Sequence, residues 1–204
     1  MKGGKQHWDE VYRSKAADEV SWFQVTPRTS VRLVGLAGHG RPDASVIDVG
    51  AGTSALVDAL LETSPDVTVL DVSGEALDAA RRRLGPRGDP VSWVQADLRD
   101  WRPERTFDVW HDRAVFHFLT DAEVIADYVD LVSRAVAPHG ALVLGVFALD
   151  GPRVCSGLPT ARYDADALAA HFAGAFVLEH DERELHRTPA GATQAFTWVV
   201  LRHR

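Results

Sequence analysis

The chain has 204 residues, 46% hydrophobic and 25% charged, and a chain of this length buries about 70% of its unfolded surface without disulfide or metal support. A formal charge of −7 argues against a nucleic-acid partner, because duplex binders draw affinity from Lys and Arg on phosphates. One cysteine, Cys155, excludes an intrachain disulfide, and the apolar run Ala141–Leu149 is far shorter than the ~20 residues of a membrane-spanning helix. With no apolar leader at the start, a cytoplasmic protein without membrane or metal partners is expected.

Residues 1–40 read as predominantly helical, with Trp8, Tyr12, Trp22 and Phe23 ahead of a helix at Thr26–Ala37. From Ser45, short apolar runs alternate with longer amphipathic ones. Val46–Val49, Val67–Asp71, Val91–Gln95, Phe107–His111 and Leu142–Phe147 predict strands. Ser54–Glu62, Gly74–Leu84, Ala122–Val136 and Asp164–Phe172 predict helices. Strands apolar throughout, separated by helices, indicate a parallel sheet covered on both faces. Phe176–His186 and Gln194–Arg202, joined by Thr188-Pro189-Ala190-Gly191, predict a closing antiparallel hairpin. The expected architecture is a single α/β domain over 1–204. It has a Rossmann-like doubly wound sheet in 43–204, mostly parallel and ending in an antiparallel β-hairpin, with an N-terminal helical lid in 1–40. The basic run Arg81-Arg82-Arg83 ends a predicted helix, where cations complement the dipole, and reads as solvated surface.

Three predicted strand ends carry the chemistry. The first runs into Asp48-Val49-Gly50-Ala51-Gly52-Thr53-Ser54 and a helix, a turn that lets a ligand approach the backbone. The second ends in Asp71, where a nucleotide-binding sheet places a carboxylate for ribose hydroxyls, and the third in Gln95-Ala96-Asp97-Leu98. A dinucleotide fingerprint needs a third glycine where this chain has Ala55, and the turn has no Lys or Arg for phosphate. Asp48 before the glycines is a poor neighbour for a pyrophosphate. It suits a cationic ligand bearing a sulfonium and an α-amino group, which favours S-adenosylmethionine.

These motifs, with Phe107-Asp108-Val109, resemble those of class I S-adenosylmethionine-dependent methyltransferases, with Ser54 standing where that family often has another glycine. The resemblance implies that Gly50, Ala51 and Gly52 contact the methionine and ribose, and that Asp71 binds the ribose hydroxyls. It puts Val72 beside the adenine, gives its amino group and ring edge to Asp97 and Leu98, and sets His111 against the sulfonium. The segments His7-Trp8-Asp9-Glu10-x-Tyr12 and Glu19-Val20-Ser21-Trp22-Phe23-Gln24 are similar to the leading helix and lid of small bacterial methyltransferases. They also resemble thiopurine S-methyltransferase and the lysine methyltransferases of elongation factor 1A. By that likeness Trp8, Tyr12, Trp22 and Phe23 close over the cofactor; alternatively they only pack the N-terminal helix on the sheet.

Trp110–Leu119 follows the fourth strand, where the acceptor should sit. Arg113 can orient an anionic acceptor, with Asp112 fixing Arg113 or accepting a proton, or the two form a salt bridge that shapes the loop. His117 is either a general base or a satisfied loop histidine. The turn-rich segment Asp150–Pro159, with Arg162 and Tyr163, is expected to wall the acceptor pocket. The expected function is methyl transfer to a small molecule, with a thiol or another soft nucleophile favoured. A protein lysine methyltransferase is the alternative, and a non-catalytic cofactor-sensing domain or a nicotinamide oxidoreductase more distant. Nothing in the sequence speaks to oligomeric state.

Overall fold

The apolar runs become the central sheet in a computed structural model that describes residues 3–204; Met1 and Lys2, which open the expected lid, lie outside the described residues. Strands β1 (Val46–Val49), β2 (Val67–Asp71), β3 (Ser92–Gln95), β4 (Phe107–Arg113) and β5 (Val136–Phe147) run parallel. The closing strands β8 (Phe176–Arg187) and β9 (Thr193–His203) pair antiparallel, β9 also lying antiparallel to β5. The seven strands follow the order β3-β2-β1-β4-β5-β9-β8, as the doubly wound reading expects. Between β1 and β4 the winding reverses, and at such a switch point the helices diverge and leave a crevice at the carboxyl ends of the strands.

Helices α2 (Arg28–Ala37), α3 (Leu56–Leu60) and α4 (Gly74–Leu84) bury Leu33, Leu56 and Leu77 on one face of the sheet. On the other, α5 (Ala122–Ala135) and α6 (Ala165–Ala170) bury Leu131, Val132 and Leu168. Side-chain oxygens of Ser73, Asp121 and Asp164 accept the first free amides of α4, α5 and α6, which fixes where those helices begin.

Several boundaries differ from the sequence reading. The N-terminal region holds α1 (Lys5–Ser14) and α2, but the stretch between them consists of turns and bends. The helix expected at Ser54–Glu62 shortens to α3, because the Ser54 hydroxyl accepts the Leu56 amide and holds the preceding residues in the loop. Strand β4 continues past His111 to Arg113, so Asp112 and Arg113 lie on a strand rather than in a loop. A small hairpin of β6 (Val154–Cys155) and β7 (Leu158–Pro159) follows β5. No helix among the described residues is long and apolar enough to cross a membrane.

Candidate active site

The carboxyl ends of β1, β2 and β3 form one half of a crevice of about 840 Å³, including its solvent-open part. Gly50, Asp71, Val72, Ala96, Asp97 and Leu98 line this half. The buried Asp71 carboxylate joins two strand ends: Gly52 N–H donates to Oδ2 at 2.7 Å and Ser73 N–H to Oδ1 at 2.8 Å. Each oxygen keeps a lone pair for a further donor, and burial pushes the group up to about 6. Asp97 is held by its own turn, accepting from the backbone and side chain of Arg99.

The glycine turn is pressed from above. Gly52 sits at φ +56°, and a Cβ there would lie 2.2 Å from the Tyr12 hydroxyl, so no other residue fits. Tyr12, Trp8 and Trp22 line the crevice and contact one another, Trp8 also meeting Phe118 edge-on at 5.3 Å. Phe23, expected among them, lies in a separate groove on the outer side.

Helix α1 is fastened over the crevice by a residue to which the sequence reading gave no role. Asp9 is buried, accepts the Ser73 hydroxyl at 2.6 Å, and pairs with Lys5. Arg83 is a second such residue. It was read as solvated surface with Arg81 and Arg82, yet it donates to the Thr53 and Ser54 carbonyls, both at 2.8 Å, and to Asp58 at 2.7 Å. It braces the glycine turn against α4.

The other half of the crevice lies over β4, β5 and β9, where Arg113, Phe147, Cys155, Gln194 and Phe196 line it. Arg113 donates through Nη1 to the Trp22 carbonyl at 2.9 Å, and its guanidinium carbon is 4.9 Å from the Phe196 ring centre. Phe196 and its neighbour Trp198 came from a strand whose pattern did not say which face it would bury. Trp198 is admitted by Gly145 on β5, where a Cβ would fall 2.7 Å from the indole. Burial pushes the Cys155 thiol up, away from the thiolate.

Other expected site residues sit elsewhere. Asp48 and His111 are neighbours on β1 and β4, with Oδ1 and Nδ1 2.7 Å apart, both buried and neither lining the crevice. Ala51 and Gly52 likewise stand behind its wall. Asp112 and Arg113 make no salt bridge, since consecutive strand residues point to opposite faces. Asp112 turns to the α5 side, fully buried, and accepts from the Val115 amide at 2.9 Å, the Phe116 amide at 3.1 Å and the Tyr128 hydroxyl. Every strong bond it makes is internal, which leaves it no proton to take from an acceptor. His117 is fully buried against Phe147, at 4.4 Å between ring centres, and burial, with Arg113 second, pushes it down to about 3. It is neutral at neutral pH and outside the crevice. Of the segment after β5, Cys155 faces the crevice, whereas Tyr163 packs on Phe116 and His171 on the other side of the sheet and Arg162 bonds the Leu149 carbonyl.

The sheet order, the glycine turn and the acids on successive strand ends define a methyltransferase domain of the Rossmann-like type, and relatives agree. Residues 46–140 match the family described as a methyltransferase domain. Trans-aconitate 2-methyltransferase of Azoarcus sp. (strain BH72) is 31% identical over 187 residues, covering 80% of this chain and 68% of that protein. Nodulation protein S of Rhizobium tropici is 33% identical over 104 residues, covering 51% of this chain and 43% of that protein. The match thus spans less than half the length of this nodulation relative. Among solved structures, N-methyltransferase NodS from Bradyrhizobium japonicum WM9 in complex with S-adenosyl-l-homocysteine superposes with a TM-score of 0.75 at 16% identity, over 97% of this chain and 98% of that one. The chain belongs to the class I S-adenosylmethionine-dependent methyltransferases.

Proposed function

We propose that this chain transfers the methyl group of S-adenosylmethionine to a small-molecule acceptor held beneath the aromatic lid. One observation carries the reading: the acid-lined edge of β1, β2 and β3 is continuous with an aromatic compartment over β4, β5 and β9 whose single cation, among the described residues, is Arg113. When bound, S-adenosylmethionine supplies an electrophilic methyl group on a positively charged sulfur. Asp71 accepts the ribose hydroxyls, Asp97 and Leu98 bound the adenine, and Gly50 takes the amino-acid end, with Ala51, Gly52 and the His111-bonded Asp48 behind it. Tyr12, Trp8 and Trp22 offer aromatic faces to a sulfonium and exclude water.

The same compartment bears on the nucleophile. Asp112 and His117 are withdrawn from it, and Tyr12 and Cys155 are both pushed up by burial, so among the described residues no ready base lines its acceptor half. An acceptor that is already anionic needs none, whereas an ammonium group would first have to lose a proton. This favours a thiolate or another anion. The lysine-methyltransferase alternative is disfavoured by the cation at Arg113. The relative named for trans-aconitate, a small organic acid, supports a small acceptor. The test is incubation with methyl-labelled S-adenosylmethionine and a desalted bacterial lysate. Label is expected in a low-molecular-weight product; label in protein alone would select the lysine reading.

A further inference from the structure

Arg113 has lopsided bonding. Its Nη1 is anchored on the Trp22 carbonyl, while Nε and Nη2, which share one edge of the guanidinium plane, are shielded from solvent and have no partner among the described residues. Buried donors without acceptors lose the water they bonded in the unfolded chain and gain nothing in exchange. The surrounding protein does not supply the missing acceptors. Glu184 attracts Arg113 across the sheet, yet its two oxygens are taken by Gln24 Nε2 at 3.0 Å and Trp198 Nε1 at 2.8 Å. Asp48 gives Oδ1 to His111 at 2.7 Å, and its second oxygen, though without a partner among the described residues, makes no hydrogen bond to Arg113. Phe196 supports the guanidinium, and Arg113 lines the aromatic compartment.

Two parallel N–H groups on one edge match the two oxygens of a carboxylate, and neither a thioether nor an amide can engage both as strongly. We propose that the Nε–Nη2 edge of Arg113 grips a carboxylate of the methyl acceptor, so that the enzyme acts on small organic acids. This inference rests on the methyltransferase reading above. The cofactor has a carboxylate of its own, but Arg113 lies among Phe147, Cys155 and Phe196, on the far side of β4 from Asp71 and Asp97. That position assigns it to the acceptor.

The test titrates the protein, saturated with S-adenosylhomocysteine, with a panel of small mono-, di- and tricarboxylic acids and with the amide of each, trans-aconitate and benzoate included. At least one acid is expected to bind about tenfold or more tighter than its amide, a preference that falls below about twofold in Arg113→Met. Affinity for S-adenosylhomocysteine should stay within about twofold in that variant, which also reports that it is folded. Arg113→Lys, which keeps the charge but not the two-point edge, should recover only part of the preference. Equal binding of acid and amide, or silence of every acid, overturns the inference. So does a loss of about tenfold in S-adenosylhomocysteine affinity in Arg113→Met, which would give the arginine to the cofactor's carboxylate. Failure of the wild-type protein to bind S-adenosylhomocysteine at all would overturn both the inference and the reading beneath it.

Discussion

Two buried aspartates at strand ends, Asp71 and Asp112, are both pushed up to about 6 by burial, yet they do different work. Asp71 faces the crevice, so a ribose can add hydrogen bonds to its charged form. Asp71→Ala should weaken S-adenosylhomocysteine binding by about 1.5–3 kcal/mol in calorimetry, and an unchanged Kd would remove it from the site. Because the charged form is the better acceptor, affinity should fall as the pH drops from 7 through 6, a dependence that Asp71→Asn should flatten. Asp112 faces inward, and its effect is on stability. Asp112→Ala strands two amides and the Tyr128 hydroxyl, an expected cost of about 3–5 kcal/mol in urea unfolding. Its folded value is raised from 3.8 to about 6, so the native state binds the proton more tightly than the unfolded chain. Its contribution is therefore largest in acid and is lost as the pH rises from about 4 to 6. The stability difference between wild type and Asp112→Asn should accordingly widen in favour of the wild type as the pH falls across that window.

Among the elements, α1 and the glycine turn depend on polar side chains that no periodicity announces. The hydrogen bonds of Asp9 to Lys5 and Ser73 hold its carboxyl below its ordinary value although burial opposes them. That stabilisation is present above the unfolded pKa and is lost as the pH falls through the folded one. Asp9→Ala should release α1 from α4. Amide hydrogen exchange across Lys5–Ser14 should rise while that of β1, β2 and β4 is unchanged, and bound S-adenosylhomocysteine should dissociate faster. Equal protection in both proteins would show that the aromatic contacts alone hold the helix. Both residues were in plain view in the sequence: Asp9 within a lid motif and Arg83 within a basic run. Their roles were not legible, because a short polar side chain meets its partner across 64 residues for Asp9 and Ser73, and the Arg83 clamp reaches back 30 residues to Thr53. The strands β1 and β2 and helix α4 were legible to the residue, since apolar runs and amphipathic periodicity are local signals.

At the scale of the whole molecule, the sequence named Gly50, Asp71 and Asp97 in one half of the crevice and Arg113 and the Cys155 segment in the other, but not Phe147, Gln194 or Phe196. Gly50, Asp71 and Asp97 sit at the ends of consecutive parallel strands, so a strand-end rule finds them one by one. Phe196 reaches the crevice, with the bonded pair Trp198 and Glu184 behind it, only because β9 inserts between β5 and β8, an insertion that the hairpin pattern does not specify. The Asp112-Arg113 step misled for the same reason: its meaning depends on β4 continuing as a strand, which separates the two side chains. The lid, the glycine turn and both strand-end acids should therefore respond together when the crevice fills. A ligand at 100 times its Kd stabilises a native state by about 2.7 kcal/mol, and a chain of this length gains about 2–4 °C per kcal/mol. S-adenosylhomocysteine at that excess should raise the melting temperature by about 5–10 °C. The rise should persist in Arg113→Met, shrink in Asp71→Ala, and appear in hydrogen exchange at Lys5–Ser14 and Gly50–Gly52 more than at α6 or β8. NADH at the same concentration should leave the melting temperature unchanged. A comparable rise with NADH would mean that the crevice accepts a pyrophosphate, against the fit of Asp48 and Ala55 to a cationic ligand.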